Sequence, residues 1–350
     1  MANIQNVINS ILATDLKDSR IPALTKTNFQ EVGNAILKYQ HTTNDFLNAL
    51  VNKIAFQIIS PLRTFDNPLV ELKKGVKPYG KDIEHAHINP AKAETYDIGK
   101  GTELLKVVRP DVASEYFRLN RQDQYAVSIT RQEIKHAFTS PESMEELING
   151  IKNSLISGDN IDEFILMKDL YTQGVTDGKL QHLELAADAT PKDILSSVRN
   201  LSSAFKFPSQ QYNSYNQLNK TEIEEGTMTA RITWAPLDTQ VILMRSDVIN
   251  DIDLNVLAGV FNLTKAELQT RIIEVDNFGG SATTGEGEVE ILAVIQDRAL
   301  TQVYDDENYM DDFYNAKNGV YNYYWNHWQV MGLSTLANGV AITKPVTPEA

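Results

Sequence analysis

The chain has 350 residues, with 46 acidic side chains against 32 basic ones and a net charge of −14. An acidic surface repels phosphate backbones, which disfavours a protein dedicated to reading DNA or RNA. The absence of cysteine excludes disulfides, thiolate metal sites and cysteine nucleophiles. The length predicts about two domains. The first residues do not resemble a signal peptide, and no apolar run is long enough for a transmembrane helix, so we expect synthesis in a cytoplasm and no membrane contact.

Residues 1–75 are predicted to form a helical N-terminal arm. Phe29, Val32, Ile36 and Tyr39 are spaced for one face of a helix. A second set has the same spacing: Phe46, Leu47, Leu50, Val51, Ile54 and Ile58. We expect this apolar stripe to be buried on another part of the fold or on a neighbouring subunit.

Residues 76–132 are predicted to form an extended loop made of strands. The segment IEHAHI, from Ile83 to Ile88, is a short strand candidate. Further on, Tyr125, Val127 and Ile129 alternate with small residues, and we expect a hairpin that turns at residues 121–123. A projecting ribbon of this kind has unpaired edges, which aggregate unless a partner covers them.

The clearest predicted helix spans residues 139–174 and belongs to a third region, 133–185. Thr139 or Ser140 can cap it, Pro141 suits its first turn, and its apolar stripe continues past Gly158. Gly158 costs about 1 kcal/mol against alanine, which leaves a kink or break there open beside a continuous helix. A continuous helix would be about 50 Å long.

Residues 186–299 are predicted to form a separate α/β region. A helix is expected over Pro191–Phe205 with Thr190 as its N-cap, and two short helices are expected within residues 253–271. Three apolar runs have the length and character of buried strands, namely TQVILMR, RIIEVD and VEILAVIQ. We interpret the Gly-rich segment 279–290 as a flexible surface loop. It lacks the Lys-Ser/Thr ending of a P-loop and the G-x-G-x-x-G spacing of a dinucleotide-binding fold. In addition, Glu286, Glu288 and Glu290 would repel a phosphate.

The remaining candidates for chemistry favour packing over catalysis. His85 and His87 share one face of a strand, but no third metal ligand accompanies them, so we expect a solvated face. His136 and His327 are expected to pack with one hydrogen bond each. We interpret an acidic cluster as a solvated turn; it comprises Asp305, Asp306, Glu307, Asp311 and Asp312. We interpret the aromatic residues that follow as core or interface; they are Tyr321, Tyr323, Tyr324, Trp325 and Trp328. We therefore predict no catalytic, cofactor-binding or metal-binding residues and no enzymatic activity.

Three stretches, in this order, resemble the major capsid proteins of tailed bacteriophages with the Hong Kong 97-type fold. The first is NPLVELKKGVKPYGKDIEH (residues 67–85), and the second is the long helix that follows Ser140. The third is the C-terminal half, from TQVILMRSDVINDIDLNVLAGVFNLTKAELQTRIIEVDNF through ILAVIQDRALTQVYDD to NHWQVMGLSTLANGVAI, which resembles capsid proteins of phages of Gram-positive bacteria.

The resemblance implies an α+β fold with an N-terminal arm (1–75), an extended β-hairpin loop (76–132) and a peripheral domain with a long spine helix (133–185). It also implies an axial α/β domain (186–299) and a C-terminal return into the peripheral domain (300–350). The implied function is self-assembly into hexamers and pentamers of an icosahedral virion shell that encloses double-stranded DNA. Portal and scaffold proteins are the implied partners, with no sequence-specific DNA binding.

Some members of this family lock the shell with a Lys–Asn isopeptide bond. Lys92, Lys100 and Lys106 lie in the loop region here and Asn338 lies near the C-terminus, but none of them can be matched to that chemistry. We therefore predict no cross-link.

Two alternatives remain open at this point. An encapsulin-like nanocompartment shares the fold but packages an enzyme. An acidic carbohydrate-active enzyme would use residues 305–312 and the aromatic segment.

Overall fold

The structure is a computed structural model, and it describes residues 2–16, 21–25, 28–38, 43, 45, 46, 49, 65–78, 82–93, 107–138, 141–250, 272–285 and 287–346. The chain divides into two compact units. The first comprises Met1–Asn67, Arg121–Glu163 and Glu307–Trp328, and the second comprises Pro68–Asn120, Phe164–Asp306 and Gln329–Ala350.

The described chain contains both helices and strands, with runs of consecutive strands within residues 83–130 and 272–345. The α-helices are α1 (Ala2–Ile11), α2 (Phe29–Leu37), α3 (Arg131–Ala137), α4 (Pro141–Thr176), α5 (Pro191–Phe205), α6 (Ser214–Leu218), α7 (Lys220–Glu224) and α8 (Ser246–Asn250), with a π-helical turn at Leu12–Leu16 and a 3₁₀ turn at Pro68–Leu72. The strands are β1 (Ile83–Ile88), β2 (Val112–Phe117), β3 (Arg121–Thr130), β4 (Gln181–Glu184), β5 (Gln240–Arg245), β6 (Ile272–Val275), β7 (Ser281–Thr284), β8 (Gly287–Asp297), β9 (Thr301–Asn315), β10 (Val320–Leu333) and β11 (Gly339–Pro345). Among the described residues, no helix is both long and apolar enough to cross a membrane.

The N-terminal stripe is buried within its own unit. Ile8 of α1 and Val32 and Ile36 of α2 are fully buried, and they join one cluster with Phe138 after α3 and Tyr321 of β10. The sequence allowed this stripe to be buried either on its own fold or on a neighbouring subunit. These residues are buried on their own fold and need no neighbouring subunit to cover them. Most of the second set of arm positions, together with Tyr39, lies outside the described residues.

The predicted hairpin with a turn at residues 121–123 is wrong. Arg121 begins β3, which pairs with β10 in a three-stranded sheet of order β3-β10-β9. The Ser128 hydroxyl donates to Asn322 Oδ1 at 2.6 Å across this pair. The alternation of Tyr125 and Val127 is real, but it records a strand with one covered face whose partner lies about 200 residues further along the chain.

The long helix is confirmed. α4 has 36 residues, runs through Gly158 as one helix, and at 1.5 Å per residue is about 54 Å long. The positions proposed for its cap lie outside the described residues.

Next to Gly158, the buried carboxylate of Asp159 is held by several donors within the first unit. It accepts from Trp325 Nε1 at 2.9 Å and from Arg121 Nη2 at 2.8 Å, and it lies 2.7 Å from His327 Nδ1. Burial alone would raise the pKa of Asp159, but these partners outweigh it and hold the pKa below its ordinary value. His327 thus packs in the interior with its Nδ1 against the buried Asp159 carboxylate. His136 is exposed, so packing was the wrong expectation for it.

The core of the second unit is a six-stranded mixed sheet of order β4-β11-β8-β5-β6, with β7 paired to β8. Side chains alternate along β5, so that Val241 and Leu243 join one apolar cluster while Ile242 and Met244 join another on the opposite face. α4 contributes Met167 to the first cluster and α5 contributes Val198 to the second. All three apolar runs contain strands, as predicted; β5 and β8 are covered on both faces, whereas β6 exposes Glu274. α5 has its predicted bounds.

The segment 279–290 is a hairpin and not a flexible loop. Ser281–Thr284 pairs antiparallel with the start of β8, and Ser281 stands opposite Glu290. Gly279 precedes this hairpin with a φ of +83°, and a Cβ there would overlap the Asp169 carboxylate. Gly279 therefore allows a close approach of this segment to α4. The two helices predicted within residues 253–271 lie outside the described residues.

The last fifty residues belong to both units, and β11 lies inside the six-stranded sheet between β4 and β8. The acidic set lies on β9 and is not a turn. Asp305 pairs with Lys73 at 2.8 Å and Asp306 with Lys77 at 3.3 Å. Tyr321 and Tyr323 are buried in the core of the first unit, as expected for packing residues.

Candidate intersubunit surface

The surface with the clearest functional geometry is the hairpin formed by β1 and β2 in the second unit. The strands pair antiparallel from Ile83 opposite Phe117 to Ile88 opposite Val112. Among the described residues, these two strands pair only with each other. Alternation along both strands gives the ribbon an inner face that is covered and an outer face that is exposed.

A single carboxylate holds the inner face to the loop after β10. Glu115 of β2 accepts from the backbone N–H of Thr335 at 2.9 Å and from Ser334 Oγ at 2.7 Å, and Thr335 Oγ1 donates to it as well. His85 of β1 lies 2.7 Å from the same Ser334 hydroxyl. Both strands of the ribbon are therefore fixed to one short segment.

A second anchor lies at the far end of the described strands. The Asn89 side chain accepts from the Ile232 backbone N–H at 3.0 Å and donates to Asp111 Oδ2 at 2.8 Å. Arg231 pairs with Asp111 at 2.9 Å, and its guanidinium lies 5.3 Å from the ring centre of Tyr215. Burial opposes ionisation of Asp111, but the bonds from Asn89 and Arg231 outweigh it and lower the pKa of Asp111.

The prediction of a solvated face for the two histidines is wrong. His85 and His87 point to the inner face, and burial lowers the pKa of both side chains below the ordinary value of 6.5. A neutral imidazole therefore suits each position.

The backbone of β10 approaches the ribbon closely at Gly332. A Cβ at Gly332 would lie 2.7 Å from the Phe117 ring, closer than real side-chain contacts allow. The absence of a side chain at Gly332 thus makes room for the ring of Phe117 at the end of β2.

The outer face is exposed and carries large apolar side chains beside Glu84, Ala86 and Ser114. Ile88 is 61% exposed and stands directly opposite Val112, which is 49% exposed. Tyr116 is 63% exposed, and Val107 and Val108, just before β2, are exposed further still. Singly exposed apolar side chains are ordinary, but the Ile88–Val112 pair at the end of a ribbon with free edges, next to Val107 and Val108 in the chain, indicates a surface for contact with protein.

Asn338 is not placed for an isopeptide bond, because its side chain is buried. Lys92 is exposed, but Asn338 is 1% exposed, accepts from Thr233 Oγ1 at 2.5 Å, and has a buried side-chain nitrogen. Lys100 and Lys106 lie outside the described residues.

Sequence reasoning missed the residues that fix the ribbon. Glu115, Asn89, Asp111 and Arg231 are common polar residue types, and their partners lie up to 220 residues away. The only sequence signal was the strand IEHAHI itself, whose two histidines alternate with exposed positions.

Comparison with known proteins agrees with this architecture. The family model of the Phi29-like phage major capsid protein matches residues 6–343. The major capsid protein of Bacillus phage GA-1 is 28% identical over 96% of this chain and 68% of its own length, and that of Streptococcus phage Cp-1 is 27% identical over 95% and 92%.

The fold is also that of a solved capsid. A chain from the capsid structure of Staphylococcus phage Andhra matches 83% of this chain and 88% of its own length with a TM-score of 0.63 at 15% identity. No comparison supports an encapsulin or a carbohydrate-active enzyme. With a family match over nearly its whole length and a capsid fold, this chain belongs to the Phi29-like phage major capsid proteins, the structural subunits of the tailed-phage virion head.

Proposed function

We propose that the outer face of the β1–β2 ribbon is a contact between copies of this chain in an icosahedral shell of hexamers and pentamers. The observation that carries this proposal is the combination of a firmly anchored inner face with an outer face on which Ile88, Val112 and Tyr116 are exposed. Ordering a flexible ribbon on binding would cost conformational entropy, whereas an anchored ribbon has already lost that entropy on folding.

Within such a shell, each contact can be modest. A closed assembly forms its contacts together, so small free energies add up over many subunits. We assign the arm to residues 1–75, the extended loop to 76–132, the peripheral domain to 133–185 with the return of 300–350, and the axial domain to 186–299. The hairpin at 279–290 would then lie near a contact or an opening at the axes of the capsomers.

The cargo we propose is double-stranded DNA, with portal and scaffold proteins as further partners. The net charge of −14 favours a wall that does not adhere to packed DNA over most of its surface. We propose a purely structural role without catalysis and without a Lys–Asn cross-link, which the burial of Asn338 supports. Mature particles boiled in detergent should then give only a monomer band; a covalent ladder would contradict this point.

The assembly role is tested by placing charge on the outer face. Ile88→Asp together with Val112→Asp should leave a folded subunit that fails to close shells, because an apolar contact cannot bury two carboxylates without partners. Ile88→Thr together with Val112→Thr is the matched control, since it keeps β-branched side chains and adds no charge. Negative-stain microscopy and sedimentation read out the shells, and circular dichroism reads out the fold. Normal shells from the aspartate variant would refute the proposed contact.

A further inference from the structure

The first unit contains a basic cavity that is unlike the rest of this acidic chain. Its volume is about 710 Å³, within the range of about 300–1,000 Å³ typical of ligand sites. Three segments form its walls, namely the end of α2, the start of α3 and the turn between β9 and β10. The described lining residues include three cations and no carboxylate: Asn34, Leu37, Lys38, Thr130, Arg131, Gln132, Lys135, Asn318 and Gly319.

Hydrogen bonds of Arg131 and Thr130 hold two of the walls in place. Arg131 Nη2 donates to the Leu37 carbonyl at 2.5 Å, which ties α3 to the end of α2 with one of its five donor hydrogens. The nearby Glu133 carboxylate accepts from the Thr130 backbone N–H at 2.7 Å and from its hydroxyl at 2.9 Å. That carboxylate is therefore occupied at the start of α3.

The third wall is an ordered turn. The backbone N–H groups of Asn318 and Gly319 donate to the Asn315 carbonyl, and Gly319 has a φ of +66°. Glycine adopts this left-handed conformation without steric cost, so the turn is unstrained.

We propose that this cavity binds a phosphate group, carried either by a nucleic acid backbone or by free phosphate. The cations are accompanied by the amide side chains of Asn34, Gln132 and Asn318, which carry N–H donors. A phosphate has more acceptor oxygens than a carboxylate, so it can use more of these donors at once, and charge-assisted bonds of this kind are the strong ones. The net charge of −14 does not prevent this, because salt screens distant charges beyond about 10 Å at 0.1 M.

The inference goes beyond shell assembly, and it relies on the proposed function only in naming DNA as one source of phosphate. It concerns local contact, so it is compatible with a wall that repels DNA elsewhere. Microscopy of the same variants separates the two, since assembly can fail or succeed independently of anion binding.

The test uses the full-length unassembled chain with two probes, inorganic phosphate by calorimetry and a short DNA duplex by fluorescence anisotropy over a series of salt concentrations. The variant is Lys38→Gln with Arg131→Gln and Lys135→Gln. The matched control removes the same charge from exposed sites outside the cavity, with Lys92→Gln, Lys192→Gln and Lys206→Gln.

The cavity variant should lose about tenfold or more in affinity at low salt, and each removed contact should reduce the slope of log affinity against log salt by about 1. The control should change affinity by less than about twofold. Lys135→Gln alone keeps the bond from Arg131 to Leu37, so it should weaken binding severalfold without disturbing the fold.

Each outcome decides the question. Loss with the duplex alone identifies a nucleic acid backbone as the source, loss with inorganic phosphate alone identifies free phosphate, and loss with both supports either source. The proposal is overturned if the wild type binds neither probe or if the control loses as much as the cavity variant. It is also overturned if the acidic peptide of residues 303–315 binds in place of the duplex, because the cavity would then receive carboxylates of a second copy.

Discussion

The anchoring of the ribbon gives the sharpest prediction, because one carboxylate carries much of it. Glu115 accepts from Ser334 Oγ, from Thr335 N–H and from Thr335 Oγ1. Hydrogen bonds to a charged group contribute about 1.5–3 kcal/mol each and neutral ones about 0.5–1.5 kcal/mol. Glu115→Gln replaces one acceptor oxygen by a donor that faces other donors, and it removes the charge. We expect the free energy of opening the ribbon to fall by about 2–3 kcal/mol. This is less than three full charged hydrogen bonds would contribute, because Glu115 is only half-buried.

The assay is hydrogen exchange of the β1 and β2 amides together with urea unfolding of the full chain. A loss of about 2–3 kcal/mol raises the open population of the ribbon by about 30- to 150-fold. Glu84→Gln is the control, because Glu84 lies on the exposed outer face, where its carboxylate accepts a hydrogen bond from Tyr116 OH at 3.2 Å. If Glu115→Gln and Glu84→Gln exchange at the same rate as the wild type, the carboxylate is not the anchor and the account of a rigid ribbon is wrong.

Two further predictions concern the same ribbon. Gly332→Ala should lower the free energy of unfolding in urea by about 1–3 kcal/mol, because the new Cβ would lie 2.7 Å from the Phe117 ring. Gly150→Ala is the control: no atom lies within 4 Å of its Cβ position, so it should raise the free energy of unfolding by about 0.5–1 kcal/mol. Equal effects of the two substitutions would refute the close approach of Gly332 to Phe117. Burial lowers the pKa of His85 below 6.5, so the unfolded chain takes up a proton that the folded chain resists. The contribution of neutral His85 to the free energy of unfolding is complete above pH 6.5 and is lost as the pH falls toward the pKa in the folded chain. Hydrogen exchange of the ribbon should therefore accelerate over that range in the wild type and less in His85→Gln. Identical pH profiles for the two proteins would contradict a buried neutral histidine.

The sequence determined the elements whose signals are local. α5 has the bounds and the capping residue read from the sequence, since Thr190 N–H donates to Asp193 as a capping box requires. α4 followed from a long apolar stripe that one glycine could not break, because its cost of about 1 kcal/mol is small against the burial of the stripe. The buried strands β5 and β8 followed from continuous apolar runs that only a sheet covered on both faces can bury.

Only the tertiary structure decided which strands pair and which polar groups meet. Period-2 alternation marks β3 as a strand but says nothing about its partner, and the nearest candidate in sequence, β2, pairs with β1 instead. Asp305 looked like part of a solvated turn because its cation, Lys73, lies more than 200 residues away. The basic cavity is equally invisible in the sequence, because Lys38, Arg131 and Asn318 come together only when three distant segments pack. Helix and strand propensity depends on residues that are close in sequence. Strand pairing and charge complementarity depend on contacts between distant residues, which exist only after the chain has folded.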